Sequence, residues 1–148
     1  MLDFGAGVGA DVFMAAHSVG VGGWAVGVDV TVPMVHLAKS IATAHGYRNV
    51  GFVLGEIEQL PIKDESADAV VSNCVINTSP DKARVFRETH RVLKAGGRLV
   101  VCDVVCRQGL PDAIRDDPRA WAACIAGASD ELELHDPCSR DIHTARST

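Results

Sequence analysis

Three glycines near the start of the chain and an aspartate further along have the types and spacing of a nucleoside-binding site. Gly5, Gly7 and Gly9 lie between a short apolar run and a helical period, and Asp29 closes the next apolar run. Glycines let the backbone approach a ligand closely, and a carboxylate at the end of the second strand accepts hydrogen bonds from both hydroxyls of a ribose. The alternative is a tight glycine turn that holds no ligand.

Two acidic residues decide between two nucleoside ligands. The glycine loop also matches the degenerate dinucleotide pattern GxGxxG/A. Asp3, two residues before the first glycine, disfavours a pyrophosphate and favours a cation that carries an amino group and a sulfonium. Glu56 can accept a hydrogen bond from an adenine amino group, and Met34 and Ile57 are expected to pack on the adenine ring. Together these residues predict S-adenosylmethionine.

Short apolar runs alternate with helical periods, which predicts an α/β domain with a mostly parallel sheet. The predicted strands are 1–4, 25–30, 50–54, 69–76 and 98–105. The predicted helices are 11–19, one capped by Thr31, one opened at 79–81 and closed by Gly96 and Gly97, and two more at 112–115 and 118–128. We expect a sheet of order 3-2-1-4-5 with helices on both faces.

Composition restricts the partners. The 148 residues are about one domain in length, and 47% of them are hydrophobic, as in globular proteins. The 14 Lys and Arg residues are scattered and the formal net charge is −5, which favours a small-molecule partner over nucleic acid. No apolar run is long enough to predict a membrane span. Five cysteines without a CxxC pair or a signal peptide predict reduced thiols and a cytoplasmic location.

Several segments together resemble the arsenite methyltransferase family, within the class I S-adenosylmethionine-dependent methyltransferases. These segments are LDFGAGVGAD, GVDVTVPM, GEIEQLP, SNCVINTSPDKARVFRETHRVLKAGGRL and CIAGAS. The first three are shared with many small-molecule methyltransferases and support only the cofactor. SNCVIN is more selective, because it places Cys74 near the carboxyl end of the fourth predicted strand, where doubly wound folds bind ligands. The resemblance covers roughly residues 1–130 and implies a Rossmann-like class I methyltransferase fold.

The resemblance implies methyl transfer to trivalent arsenic, a detoxification reaction, with Cys74 and Cys124 holding the arsenic. Trivalent arsenic is a soft centre that prefers thiolates. Its lone pair can attack the sulfonium methyl, so no general base is required. A reducing thiol is expected as a further requirement. The residues expected at the cofactor are Asp3, Gly5, Gly7, Asp29, Met34, Glu56, Ile57 and Asn73.

The sequence departs from the family at both ends, and we interpret it as truncated there. Met1 lies inside the first predicted strand, so the family's amino-terminal segment and its thiol are expected to be missing. The chain turns polar after ELELH, which predicts an irregular tail over 131–148 and a sheet without its final strands. His135, Cys138 and His143 in that tail have loose metal-like spacing, and a solvated segment is the expectation.

Two other functions fit the same cofactor site. A methyltransferase for a small organic acceptor, such as a quinone precursor, would use Cys74 only for packing, since unpaired cysteines often behave as small hydrophobes. An inactive fragment would bind the cofactor without turnover. Cys102 and Cys106, in or beside the fifth predicted strand, are expected to be structural.

Overall fold

A computed structural model of the protein describes residues 1–106 and 109–130. The strands of its main sheet are β1 (Leu2–Phe4), β2 (Ala25–Asp29), β3 (Val50–Leu54), β4 (Ala67–Asn73) and β5 (Leu93–Cys102). All pairs are parallel and the order is β3-β2-β1-β4-β5, which confirms the predicted fold class. The predicted tail of 131–148, with His135, Cys138 and His143, lies outside the described residues.

Five helices and a small second sheet complete the described part of the chain. The helices are α1 (Ala10–Ser18), α2 (Val32–Ala44), α3 (Lys82–Val92), α4 (Asp112–Arg115) and α5 (Pro118–Ala122). The second sheet, which the sequence did not predict, pairs β6 (Val105–Cys106) in parallel with β7 (Ser129–Asp130). In the described ranges, none of the helices is long and apolar enough to cross a bilayer.

Two apolar clusters lie on opposite faces of the main sheet. On one face Phe4 and Val70 pack with Val85 and Val92 of α3. On the other face Phe52 packs with the buried positions of α1 and α2. Alternate residues of a strand point to opposite faces, and β2 contributes Val28 to the first cluster and Ala25 to the second. The helices therefore cover both faces, as predicted, and each fully buried side chain contributes roughly 1.5 to 3 kcal/mol.

Strand β5 begins at Leu93, directly after α3, so the predicted helix stop at Gly96 and Gly97 is wrong. Leu93 pairs with Ala67 at the start of β4, and the register between the two strands then shifts. Gly96 has a φ of 78°. Glycine adopts such a conformation without steric cost, and a bulged strand uses it. The local sequence at Gly96 and Gly97 indicates a helix end, but pairing with β4 places both glycines in a strand.

The loop between β3 and β4 is held against α3 by two side chains. Glu88 accepts a hydrogen bond from the N–H of Leu60 at 2.8 Å. Arg91 donates to the carbonyl oxygens of Leu60 at 3.0 Å and Ile62 at 2.8 Å. An ion pair of 2.7 Å joins Arg91 to Glu88. These contacts satisfy backbone groups that no strand pairs, and they fix the loop that follows the carboxyl end of β3.

Candidate active site

A cleft of about 650 Å³ opens at the carboxyl end of the main sheet. It lies where β1 and β4 are neighbours and where the chain leaves them toward α1 on one face and α3 on the other. Ligands of open parallel sheets bind at such a switch point. Six residues that the sequence singled out line the cleft: Gly5, Asp29, Glu56, Ile57, Asn73 and Cys74.

The loop after β1 brings its backbone close to this cleft. Gly5 has a φ of 65°, and a Cβ at this position would lie 2.6 Å from Cγ2 of Val75. The N–H of Gly9 donates to the carbonyl oxygen of Ala6 at 2.7 Å, which closes the turn into α1. Only glycine fits at Gly5, because both its conformation and the approach of Val75 exclude a side chain.

Asp29 is held by two backbone groups. Its Oδ2 accepts from the N–H of Gly7 at 2.8 Å, and its Oδ1 accepts from the N–H of Thr31 at 2.7 Å. Thr31 occupies the N-cap position of α2, as predicted, but its side chain makes no capping hydrogen bond. Each carboxylate oxygen has a second lone pair, and the two oxygens can still accept from a pair of neighbouring hydroxyls.

Asp3 is buried in β1, where 2% of its surface is exposed. Burial raises the pKa of Asp3 to about 7, and the nearby carboxylates of Asp11 and Asp29 add to the rise. A buried acid among other acids favours a positively charged partner. The described lining of the cleft does not include Asp3, Gly7 or Met34. Gly7 contributes indirectly, because its N–H donates to the carboxylate of Asp29, which does line the cleft.

Polar residues that the sequence analysis did not assign to the site also line the cleft: Glu58, Ser79, Asp81 and Arg84. The Oγ of Ser79 donates to the carboxylate of Glu58, which joins the loop after β3 to the loop after β4. Asp81 caps α3 by accepting from the N–H of Arg84 at 2.9 Å. Their position after the carboxyl ends of two strands was the available signal.

Cys124 lies against Cys74 at one edge of the cleft. Helix α5 ends at Ala122, so the predicted helix over 118–128 is too long and Cys124 lies in the turn that follows. Its thiol donates to the carbonyl oxygen of Cys74 at 2.6 Å. The structure therefore brings together the two cysteines that the sequence singled out.

Cys74 follows the strand instead of belonging to it. Strand β4 ends at Asn73, and Cys74 has a φ of 56°, a left-handed conformation that interrupts a strand. A short 3-10 turn, Ile76–Thr78, comes next. The prediction that Cys74 lies within the fourth strand is wrong. The correction places its thiol in the loop at the binding edge, where it lines the cleft.

The surroundings of both thiols keep them protonated. Burial raises the pKa of Cys74, and Asp103 and Cys102 add to the rise, whereas the hydrogen bond with Cys124 opposes it. Burial also raises the pKa of Cys124, with further contributions from Cys74 and Asp103. A soft centre that is bound by both cysteines as thiolates must therefore displace their two protons. Over the described ranges, no three Cys, His, Asp or Glu side chains are arranged for a metal ion.

The sheet order, the glycine loop after β1 and the acid at the end of β2 define a nucleoside-binding domain of the class I methyltransferase type. A family model described as a methyltransferase domain matches residues 1–141. The chain belongs to this methyltransferase domain family. The prediction of an S-adenosylmethionine-dependent methyltransferase is confirmed at the level of the family and of the fold.

Within that family, the chain is similar to arsenite methyltransferases. It is 46% identical over 129 residues to the arsenite methyltransferase of Halobacterium salinarum, covering 87% of this chain and 33% of that protein. It is 42% identical over 137 residues to the human arsenite methyltransferase, covering 86% of this chain and 36% of that protein. The chain thus spans about a third of the length of these curated relatives.

A solved structure shows the same likeness in three dimensions. The crystal structure of an arsenic(III) S-adenosylmethionine methyltransferase from Chlamydomonas reinhardtii superposes with a TM-score of 0.81 at 42% identity. The match covers 90% of this chain and 48% of that one. The resemblance drawn from the sequence is confirmed by these comparisons.

Proposed function

We propose that the protein transfers a methyl group from S-adenosylmethionine to trivalent arsenic held by Cys74 and Cys124. The observation that carries this proposal is the contact of the Cys124 thiol with the backbone of Cys74 at the edge of the cleft, where Cys124 donates to the carbonyl oxygen of Cys74 at 2.6 Å. Two thiols so close form a chelate for a soft centre. The similarity to arsenite methyltransferases supports the same substrate.

The residues of the cleft fit the proposed cofactor. When bound, S-adenosylmethionine supplies an electrophilic methyl group. Asp29 would accept from the ribose hydroxyls with the lone pairs that Gly7 and Thr31 leave free. Gly5 would let the backbone approach the ligand, and Ile57, with 9% of its surface exposed, would give the adenine an apolar wall.

Three further residues complete the proposed cofactor site. Glu56, which lines the cleft after β3, would accept from the adenine amino group. Asn73 at the end of β4 would place its peptide beside the methionine portion. Asp3 would attract the positive charge of the ligand, since a buried carboxyl is stabilised in its ionised form by a nearby cation. Met34 remains a predicted contact of the adenine ring.

The thiols can bind arsenite without a separate base. Each thiol proton leaves with one hydroxyl of arsenous acid as water, while an arsenic–sulfur bond forms in its place. The raised pKa of Cys74 and Cys124 is therefore no obstacle, because the substrate removes the protons. A small thiol in solution can supply a further ligand to arsenic held by these two thiolates. The arsenic retains a lone pair, which would form the bond to the methyl carbon while the sulfonium–methyl bond breaks and its electrons stay on sulfur, so that As(III) is formally oxidised to As(V) by the sulfonium.

The proposed chemistry needs reduced cysteines. All four cysteines among the described residues are free. Oxidation of Cys74 or Cys124 would remove the arsenic ligands, so the protein belongs in a compartment that keeps thiols reduced, such as the cytoplasm.

Protection of individual cysteines from alkylation tests this proposal. Arsenite added to the protein with a small thiol should protect Cys74 and Cys124 together, as read by mass spectrometry. Cys74→Ser and Cys124→Ser should each abolish protection of the remaining partner at low arsenite, because one thiol cannot chelate. The matched control is Cys106→Ser, which removes a half-buried thiol of β6 outside the cleft and should change nothing.

Methyl transfer is then followed with arsenite and S-adenosylmethionine. Methylated arsenic that disappears in both serine variants supports the proposal. Transfer to an organic acceptor with no protection of the thiols would overturn it in favour of a small-molecule methyltransferase. Cofactor binding without any methylated product would identify a binding protein instead.

A further inference from the structure

One buried side chain holds the turn that carries Cys124. Asn77 is 3% exposed, and its Nδ2 donates to the carbonyl oxygen of Cys124 at 3.3 Å and to that of Val104 at 2.7 Å. Its Oδ1 accepts from Nζ of Lys82 at 3.1 Å. Both donors and the acceptor of this amide are therefore used, and its orientation is fixed by the network.

The same turn rests on Asn77 at a second point. A Cβ at Gly127 would collide with the backbone carbonyl oxygen of Asn77, so the two backbones are in direct contact. Lys82 donates from its Nζ to the carbonyl oxygen of Gly127 as well as to Asn77. Backbone groups on both sides of Ile125 and Ala126 are thus bound to one asparagine and to the lysine that it orients.

Asn77 is also fixed to the segment that carries Cys74. It lies three residues after Cys74, in the 3-10 turn Ile76–Thr78, and its N–H donates to Oδ2 of Asp103 at 3.1 Å. The position of Cys124 relative to Cys74 is therefore set by a short path through one side chain. Asn77 is the last residue of SNCVIN, and it does not line the cofactor cleft.

We propose that Asn77 is the positioning residue of the arsenic site, which sets the distance and orientation between the Cys74 and Cys124 thiols. The inference rests on the proposed function. Chelation depends on how closely the second thiol is held once the first has bound, so a displaced turn weakens binding even when both thiols are present. A purely structural asparagine would affect folding without this specific coupling.

Asn77→Asp tests the proposal, since it removes both Nδ2 donors and keeps an oxygen for Lys82. The arsenite concentration that half-protects Cys74 and Cys124 from alkylation should rise about tenfold, the factor expected for losing hydrogen bonds of a buried amide. In a Cys124→Ser background, at arsenite concentrations high enough for Cys74 to bind alone, Asn77→Asp should not change the protection of Cys74, because no chelate is left to position. Binding of S-adenosylhomocysteine, measured by calorimetry, should stay within about twofold of the unmodified protein.

The matched control for a lost buried hydrogen bond is Thr89→Val. Thr89 is 3% exposed and its Oγ1 donates to the carbonyl oxygen of Val85 at 2.8 Å, within α3 and away from the turn. This variant should lower the melting temperature without changing arsenite protection. If Asn77→Asp does not fold, Gly127→Ala decides, because its Cβ displaces the turn from Asn77 and leaves the amide itself intact. It should raise the half-protecting arsenite concentration as Asn77→Asp does.

The results separate this inference from the proposed function. If arsenite protects neither cysteine in the unmodified protein, the proposed function fails and this inference fails with it. If both are protected and Asn77→Asp or Gly127→Ala keeps the same affinity, only the positioning role is overturned. An equal loss in the presence and absence of the Cys124 thiol would also overturn it, since that result belongs to a structural role.

Discussion

The thiol of Cys124 donates a hydrogen bond to the carbonyl oxygen of Cys74, although 50 residues separate them in the sequence. Both residues have left-handed backbones, with φ of 56° at Cys74 and 59° at Cys124. A residue with a Cβ adopts this conformation at a cost of about 1 to 2 kcal/mol. Strain of this kind is found where the surrounding structure forces it, and it concentrates at binding sites.

Cys74→Gly should therefore give a more stable protein than Cys74→Ala. Both changes remove the thiol, but only glycine relieves the left-handed strain, so the difference in unfolding free energy should be about 1 kcal/mol. Urea denaturation followed by circular dichroism measures it. Equal stability of the two variants would mean that the backbone at this position is not strained.

Replacing Asp29 by asparagine should weaken cofactor binding. The change removes the charge from an acceptor of two backbone N–H groups and of the proposed ribose hydroxyls. Hydrogen bonds to a charged group contribute about 1.5 to 3 kcal/mol, so the free energy of cofactor binding should become less favourable by about that amount. Calorimetric titration with S-adenosylmethionine measures this. Asp112→Asn, an exposed acid of α4, is the control and should bind as before.

The approach of Gly5 to Val75 predicts a pair of coupled changes. Gly5→Ala places a Cβ 2.6 Å from Cγ2 of Val75 and adds left-handed strain. Gly7 has a φ of 53° but open space around it, so Gly7→Ala adds the strain without the clash. Gly5→Ala should be the more destabilising, by about 1 to 3 kcal/mol, the cost of overpacking. Adding Val75→Ala should recover part of the loss, because it removes the contact with Cγ2 and leaves only that with Cβ of residue 75, at 2.8 Å. Additive effects in the double variant would contradict this contact.

Local sequence signals were sufficient for the sheet and for part of its carboxyl edge. Asp29 could be placed because it ends an apolar run, and parallel strands bring such ends together. Asn73 lay inside the predicted strand 69–76, and only the observed end of β4 places it at this edge. Gly96 misled the prediction, because a glycine after a helical period reads as a stop while pairing between β4 and β5 depends on residues far away in sequence.

The turn at Cys124 shows a different limit. Its apolar spacing continued the helical period of α5, and the left-handed residue that ends the period leaves no local mark in a non-glycine sequence. The role of Asn77 was equally hidden, since its partners at Val104 and Cys124 are 27 and 47 residues away. Long-range hydrogen bonds of one side chain produce no periodicity.

Arg91 and Lys94 make ion pairs of the same length that should differ in their effect on stability. Arg91 is 2.7 Å from Glu88 and also binds the carbonyl oxygens of Leu60 and Ile62. Arg91→Ala should lower the free energy of unfolding by about 2 to 3 kcal/mol, because it leaves those partly buried acceptors unpaired. Lys94 pairs with the exposed Asp68 at 2.7 Å, and Lys94→Ala should give no measurable change. Thermal melting of the two variants compares them, and an equal loss would contradict the account of the loop.

Asp3 should make the protein less stable as the pH rises. The pKa of its buried carboxyl is raised from 3.8 to about 7, so the folded chain binds this proton more tightly than the unfolded chain. The free energy of unfolding therefore falls as the pH rises through the interval between those two values, and the loss persists above it. Asp3→Asn removes the ionisation. It should raise the free energy of unfolding at pH 8 by about 2 to 4 kcal/mol and flatten its pH dependence across that interval.

The same variant should bind S-adenosylmethionine more weakly, because the negative charge that favours the sulfonium and amino groups is lost. Denaturation curves at several pH values, with calorimetric titration at pH 8, measure both effects. Asp112→Asn, an exposed acid of α4, is the control and should keep the pH dependence of the unmodified protein. If Asp3→Asn also keeps that pH dependence, the ionisation of Asp3 has no effect on stability.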